Sequence, residues 1–197
     1  MQAAKVDTLS VHSDAMNKEV QVITICPDKA MAGEKCPVLY LLHGYGGNAG
    51  TWLGIKPELP RIADKEGIIF VCPDGKNSWY WDSPKNPAYR YETFISSELV
   101  NYTDTHYATI PEKRARAIGG LSMGGHGALW NAIRHKDIFG AAGSMSGGVD
   151  IRPFPNNWEM KKQLGELTAN EAVWNSHTVI NQVDKLANGD LALIIDC

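Results

Sequence analysis

The chain has 197 residues, 44% of them hydrophobic and 21% charged, enough for one domain with a substantial core. A formal net charge of −3 argues against nucleic acid or an anionic membrane as a partner. No apolar run approaches the roughly 20 residues that span a bilayer, and the opening Met1-Gln2-Ala3-Ala4-Lys5 lacks a signal-peptide core, a start that suits a cytoplasmic protein or an exported one already processed.

In chain order, Val6 to Val11 and Val20 to Ile25 are expected to form an antiparallel pair, with Val20, Val22 and Thr24 on one face. A turn-rich connector from Cys26 to Glu34 leads to Val38–Leu42, a short apolar run of the kind buried on both faces of a parallel sheet. A short helical stretch opens at Thr51, a crossover helix follows over Leu59 to Lys65, and Ile68 to Cys72 is another buried strand stopped by Pro73-Asp74-Gly75. From there to Tyr91 the chain is aromatic, polar and proline-bearing, a long loop. Thr93 to Tyr107 has helical apolar spacing, Ala115 to Ile118 is a strand, Met123 to His135 a helix and Ala141 to Met145 a small-residue strand. A loop and helices fill Asp150 to about Ala187, and Leu191–Ile195 is a last apolar strand. Strands alternating with helices predict a single α/β domain, a mostly parallel sheet with helices on both faces. Cys26, Cys36, Cys72 and Cys197 form no C-x-x-C pair and no zinc-like spacing. Cys26 and Cys36 flank a possible bridge across a hairpin, but small buried hydrophobes are the favoured reading.

Gly120-Leu121-Ser122-Met123-Gly124 carries the strongest signal. A serine between glycines at a strand-to-helix junction is a nucleophile elbow, a turn that leaves the hydroxyl exposed above the sheet. The amide after it, on Met123, then points where an oxyanion develops. Upstream, the strand Val38–Leu42 runs into His43-Gly44-Tyr45-Gly46-Gly47, a flexible turn able to supply the second oxyanion donor. In such sheets ligands bind at the carboxyl ends of the strands, where both segments fall.

Leu42-His43-Gly44-Tyr45-Gly46-Gly47, Pro73-Asp74-Gly75 with Ser78-Trp79-Tyr80, Ser97-Glu98-Leu99 and Gly119 to Ala128 occur in an order that resembles the esterase D-like serine esterases. That group includes S-formylglutathione hydrolases, tributyrin-type, feruloyl and acetylxylan esterases, and mycolyltransferases. The resemblance covers roughly residues 20 to 150. It implies an α/β-hydrolase fold, serine-dependent acyl transfer, and no metal or organic cofactor. Carried over by position, Ser122 is the nucleophile and the Tyr45 and Met123 backbone amides form the oxyanion hole.

A serine needs a histidine to take its proton and an acid to hold that histidine. The resembled family places both after the strand matched by Leu191–Ile195, and this sequence ends at Cys197. The expectation is therefore a chain incomplete before the catalytic acid, histidine and last strands, with Leu191–Ile195 an apolar edge prone to self-association. Asp196 matches the strand end and not the acid. Among internal histidines, His43 is expected to brace its loop, His126 to pack beneath Ser122, and His177 to cap or sit at the surface. Glu98 is expected to be structural or solvent-facing. Trp79 and Trp81 are candidate substrate-binding residues at the mouth of the site, against the alternative of a self-packed loop. The functional expectation is a serine carboxylesterase for small or carbohydrate-linked acyl esters. The alternatives are an inactive hydrolase-like fragment or binding module, and an acyltransferase or thioesterase.

Overall fold

The computed structural model describes residues 4–197. Its strands are β1 (Lys5–Ser13), β2 (Lys18–Cys26), β3 (Val38–Leu42), β4 (Ile69–Pro73), β5 (Arg116–Leu121), β6 (Ala141–Met145) and β7 (Ala192–Asp196). They form one sheet in the order β1-β2-β4-β3-β5-β6-β7. β1 and β2 pair antiparallel with Val6 opposite Ile25 and Val11 opposite Val20, the pairing expected from the alternation. β2 joins β4 antiparallel, and the sheet is parallel from β4 to β7.

The first crossover, through the helix Leu59–Glu66, carries the chain from β3 outward to β4. The next returns past β3 to β5, so the strand order reverses there. Crevices at such a switch point are where doubly wound sheets bind ligands. Leu42 and Gly120 are register partners at the carboxyl ends of β3 and β5, which sets the His43 loop beside the elbow.

One face of the sheet carries Val38, Tyr40 and Leu42 against the elbow helix Met123–Arg134 and the helix spanning 91–106. The elbow helix is buried from Met123 through Ile133, as a helix that is apolar most of the way round must be. Within the 91–106 helix the segment Phe94–Leu99 is wound as a π-helix. That winding brings residues five apart into line, and Phe94 and Leu99 are both fully buried. The opposite face packs Ile25, Leu41 and Phe70 against Trp52, Leu59 and Ala63. Helices thus cover both faces near β2, β4 and β3. Over β5 to β7 the second face opens into an apolar cleft of about 350 Å³ lined by Leu39, Leu41, Met145 and Ile194, among others.

β7 is one of the two edge strands, and all five of its residues are exposed, Ile194 by 76%. Cys26 and Cys36 do not bridge and flank no hairpin: all four cysteines are free, and Cys36 instead pairs with Thr109. Cys26, Cys36 and Cys72 are buried, in keeping with their role as small hydrophobes. The 26–34 connector holds one helical turn, Asp28–Met31.

Candidate active site

Ser122 stands between β5 and the elbow helix with φ 56° and ψ −117°. A non-glycine residue in this region is strained, at a cost on the order of 1–3 kcal/mol. Its neighbours show what holds it there. A Cβ on Gly120 would lie 2.1 Å from the Gly124 carbonyl oxygen, and one on Gly124 would lie 2.1 Å from that of Leu42. Only glycine lets strand, helix and the end of β3 approach this closely. The Ser122 amide donates to Met145 O at 2.8 Å, and its carbonyl accepts from the His126 amide at 3.0 Å. The hydroxyl-bearing side of the turn faces solvent.

The loop after β3 is braced on several sides. His43 is buried, its Nε2 accepting the Gly75 amide proton at 2.9 Å. Its Nδ1–H then donates to Gly44 O at 2.7 Å. Both nitrogens are committed to the backbone, so His43 shapes the loop, as expected. Tyr80 donates its phenol to His43 O at 2.8 Å, and Trp52 Nε1 donates to Leu42 O at 2.9 Å. The Gly46 amide is taken by Asn77 Oδ1 at 2.9 Å and the Gly47 amide by Gly44 O at 3.0 Å. Neither the Tyr45 nor the Met123 amide has an acceptor among the described residues.

Tyr45, Trp79 and Ser122 line one cavity of about 130 Å³ with Ser146, Asp150, Ile151, Phe154, Trp158 and Met160. Four of its lining residues have positive φ, Trp79, Ser122, Ser146 and Trp158, and so do Tyr80 and Glu159 next to them in sequence. Backbone strain concentrated at one place is a mark of a functional site. Trp79 and Trp158 are further tied by a 3.0 Å hydrogen bond from Trp79 Nε1 to Trp158 O.

Trp81 is a correction. It was expected at the mouth of the site and is fully buried, away from the cavity lining. Its ring stacks on Trp79 at 6.0 Å and meets His126, Trp130 and His177 edge-on. The loop is therefore self-packed around Trp81, and only Trp79 reaches the cavity. The reason is local backbone. Trp79 and Tyr80 both take positive φ, which turns Trp81 into the core in a way that spacing alone does not reveal. The sequence reading also missed the segment from Ser146 to Met160, which supplies most of the wall. Phe154 and Trp158, set among Pro153, Pro155, Asn156 and Asn157, were its available signal, since large aromatics amid turn residues often mark a surface with a purpose.

Among the described residues no histidine lines the cavity. His177 lies behind Trp81, stacked on Trp130 at 5.5 Å and bonded through Nδ1 to Val173 O at 2.8 Å. His135 bonds Glu92 at 3.0 Å. Glu92 also accepts from Trp130 Nε1 at 2.6 Å and Arg134 Nε at 3.1 Å, a buried hub that pins the elbow helix. Burial acts to raise its carboxyl pKa, but the His135 bond and the Arg134 charge outweigh it and hold it below the usual range. Glu98 is structural: it accepts from Ser13 Oγ at 2.6 Å and from the Asp14 amide at 2.7 Å, holding the turn between β1 and β2.

His126 is fully buried against Trp79 and Trp81, with no hydrogen-bond partner on either ring nitrogen among the described residues. Burial pushes its pKa from 6.5 down to about 3. Below pH 6.5 the unfolded chain takes up this proton and the folded chain does not, so stability falls as pH drops from 6.5 toward 3. The slope is about 1.4 kcal/mol per pH unit for one group. Between pH 7 and pH 5 His126 should account for a loss of about 2 kcal/mol. Urea unfolding of wild type and His126→Phe at both values checks this, and an equal loss in the two proteins would contradict it.

Comparison with known proteins agrees with this geometry. The family model described as "Putative esterase" matches residues 13–195. The chain belongs to this esterase family. An acetyl esterase of Caldicellulosiruptor saccharolyticus is 31% identical over 140 residues, covering 66% of this chain and 52% of that protein. An esterase of Mycobacterium tuberculosis is 33% identical over 132 residues, 64% of this chain and 28% of that protein. The chain thus spans about half the length of the first of these esterases and less of the second. A ferulic acid esterase structure is 29% identical with a TM-score of 0.77 over 98% of this chain and 79% of its own. FphF, a fluorophosphonate-binding serine hydrolase of Staphylococcus aureus, shares the α/β-hydrolase fold at a TM-score of 0.83 and 20% identity, over 98% of this chain and 79% of its own.

Proposed function

We propose that this protein is a serine ester hydrolase that forms an acyl-enzyme on Ser122. The observation that carries the reading is the exposed, strained Ser122 at the wall of a small aromatic cavity. The Tyr45 and Met123 amides would receive the oxyanion, since the amides of Gly46 and Gly47 are already engaged. In the acylation step Ser122 Oγ bonds to the ester carbonyl carbon and its proton passes to a general base. The tetrahedral intermediate then expels the alcohol, which recovers a proton, and water releases the acid by the same route. That base is a group other than His43, His126, His135 and His177, whose rings are bonded or buried elsewhere.

The cavity volume speaks to the acyl group. At about 130 Å³ it is close to the roughly 150 Å³ that holds one benzene ring, so a short acyl chain or a single ring fits and a long chain does not. Partly exposed Tyr45, Phe154 and Trp158 offer aromatic faces to the alcohol side, which suits a small or carbohydrate-linked ester. A series of p-nitrophenyl esters tests the reading on the gene product. The acetate and propionate should be hydrolysed with kcat/KM roughly 10-fold or more above the octanoate, because methylenes that outgrow a pocket lose about 1–3 kcal/mol of discrimination each. A preference that rises with chain length would contradict the small pocket. No hydrolysis above buffer would favour the non-catalytic, binding-module reading.

A further inference from the structure

The loop carrying the Tyr45 amide is fastened by a side chain that the catalytic reading does not use. Asn77 Oδ1 accepts the Gly46 amide proton at 2.9 Å, and Asn77 Nδ2 donates to Glu159 Oε2 at 3.0 Å. Both polar ends of one amide are thus used, one on the loop after β3 and one on the segment that walls the cavity. Glu159 lies in the segment whose neighbours Trp158 and Met160 line the wall, and Trp158 and Glu159 both hold positive φ. Lys162 pairs with the other oxygen of Glu159, so the carboxylate is gripped from both ends. Among the described residues Asn77 is the only acceptor of the Gly46 amide.

We propose that Asn77 is a positioning residue, a strap held by Glu159 that sets the peptide next to Tyr45 and so aims the Tyr45 amide. The inference rests on the ester-hydrolase reading. Its physical basis is that an oxyanion donor is worth most when it is already oriented before charge develops. Gly46 has φ +76° and no side chain of its own to pack, so without Asn77 the peptide between Tyr45 and Gly46 is held only by the turn that the Gly47 amide closes on Gly44 O. A donor misaimed by about 1 Å costs up to about 100-fold in rate. Asn77 touches no reacting atom and acts through the loop.

Four variants of the gene product separate this role from a merely structural one. Asn77→Ala should lower kcat about 10-fold on p-nitrophenyl acetate while KM stays within about twofold, because ground-state binding does not depend on the oxyanion amide. Glu159→Gln should be near wild type, since its carbonyl oxygen still accepts from Asn77. Asn77→Asp keeps an acceptor for Gly46 but sets a carboxylate against Glu159, and should be impaired. The swap Asn77→Asp with Glu159→Gln restores a donor facing an acceptor and should recover most of the lost kcat. Amide hydrogen exchange supplies a readout that needs no turnover: Gly46 should exchange at least about 10-fold faster in Asn77→Ala than in wild type or the swap. Unchanged Gly46 exchange in Asn77→Ala would overturn the strap. Faster exchange with unchanged kcat would overturn the positioning role while leaving the esterase reading intact. Gly46 exchange as expected in a wild type that hydrolyses no ester would instead overturn the esterase reading, and the positioning role with it.

Discussion

Ser122→Ala should remove ester hydrolysis, by on the order of 10⁶ in kcat where nucleophile, base and acid act as a unit. The size follows from chemistry, because no other group at the cavity can form the acyl-enzyme in the same geometry. Ser146 is the natural rival, since it also lines the cavity and also has positive φ. It differs in what surrounds it. Ser122 heads a helix of 12 residues, whose N-terminal amides and dipole favour negative charge nearby. Ser146 follows β6 with no helix directly after it, and its own amide is bonded to Asp196 O at 2.7 Å. Ser146→Ala should therefore retain most of the activity. Steady-state kinetics on p-nitrophenyl acetate, with thermal unfolding to confirm that both variants fold, decides between them. Retention of more than about a tenth of the wild-type rate by Ser122→Ala would be incompatible with a nucleophile's role.

Trp81→Ala should be the most damaging of the aromatic substitutions to stability, with a loss of about 3–5 kcal/mol. Trp81 is fully buried, and its ring touches four other aromatic rings, those of Trp79, His126, Trp130 and His177. Truncation would leave a void that rigid neighbouring rings cannot refill, which is the condition for the upper end of that range. For a domain of this size the midpoint of thermal unfolding should fall by roughly 10 °C. The indole N–H has no partner in the folded protein among the described residues, so Trp81→Phe should recover much of the loss. Trp79→Ala makes the contrast: it opens the cavity wall and frees Trp158 O, so its effect should include a raised KM. Calorimetry with kinetics at low temperature separates the two. An unaltered midpoint in Trp81→Ala would contradict the packing assigned to this loop.

The contrast between these two tryptophans shows what the sequence could convey. The strands were legible because a buried parallel strand must be a short apolar run, and Val38–Leu42 and Ala141–Met145 were placed to the residue. The elbow was legible because its glycines answer to a backbone clash and not to a distant partner. Trp79 and Trp81 look alike in sequence, two residues apart, and were separated only by consecutive positive-φ residues that no local pattern announces. The cavity wall from Ile151 to Met160 was hidden for a related reason. Its residues are brought to Ser122 by tertiary packing of an irregular segment, so they show no periodicity. Asn77 was invisible too, because an asparagine in a turn says nothing of which carbonyl or amide it will reach.

The most direct measurement is covalent labelling of the gene product with a fluorophosphonate probe, followed by peptide mass spectrometry. A strained, exposed serine activated for acyl transfer should give one adduct, on the peptide bearing Ser122, and none in Ser122→Ala. An unlabelled protein, or an adduct carried by Ser146, would contradict the assignment of Ser122 as the nucleophile.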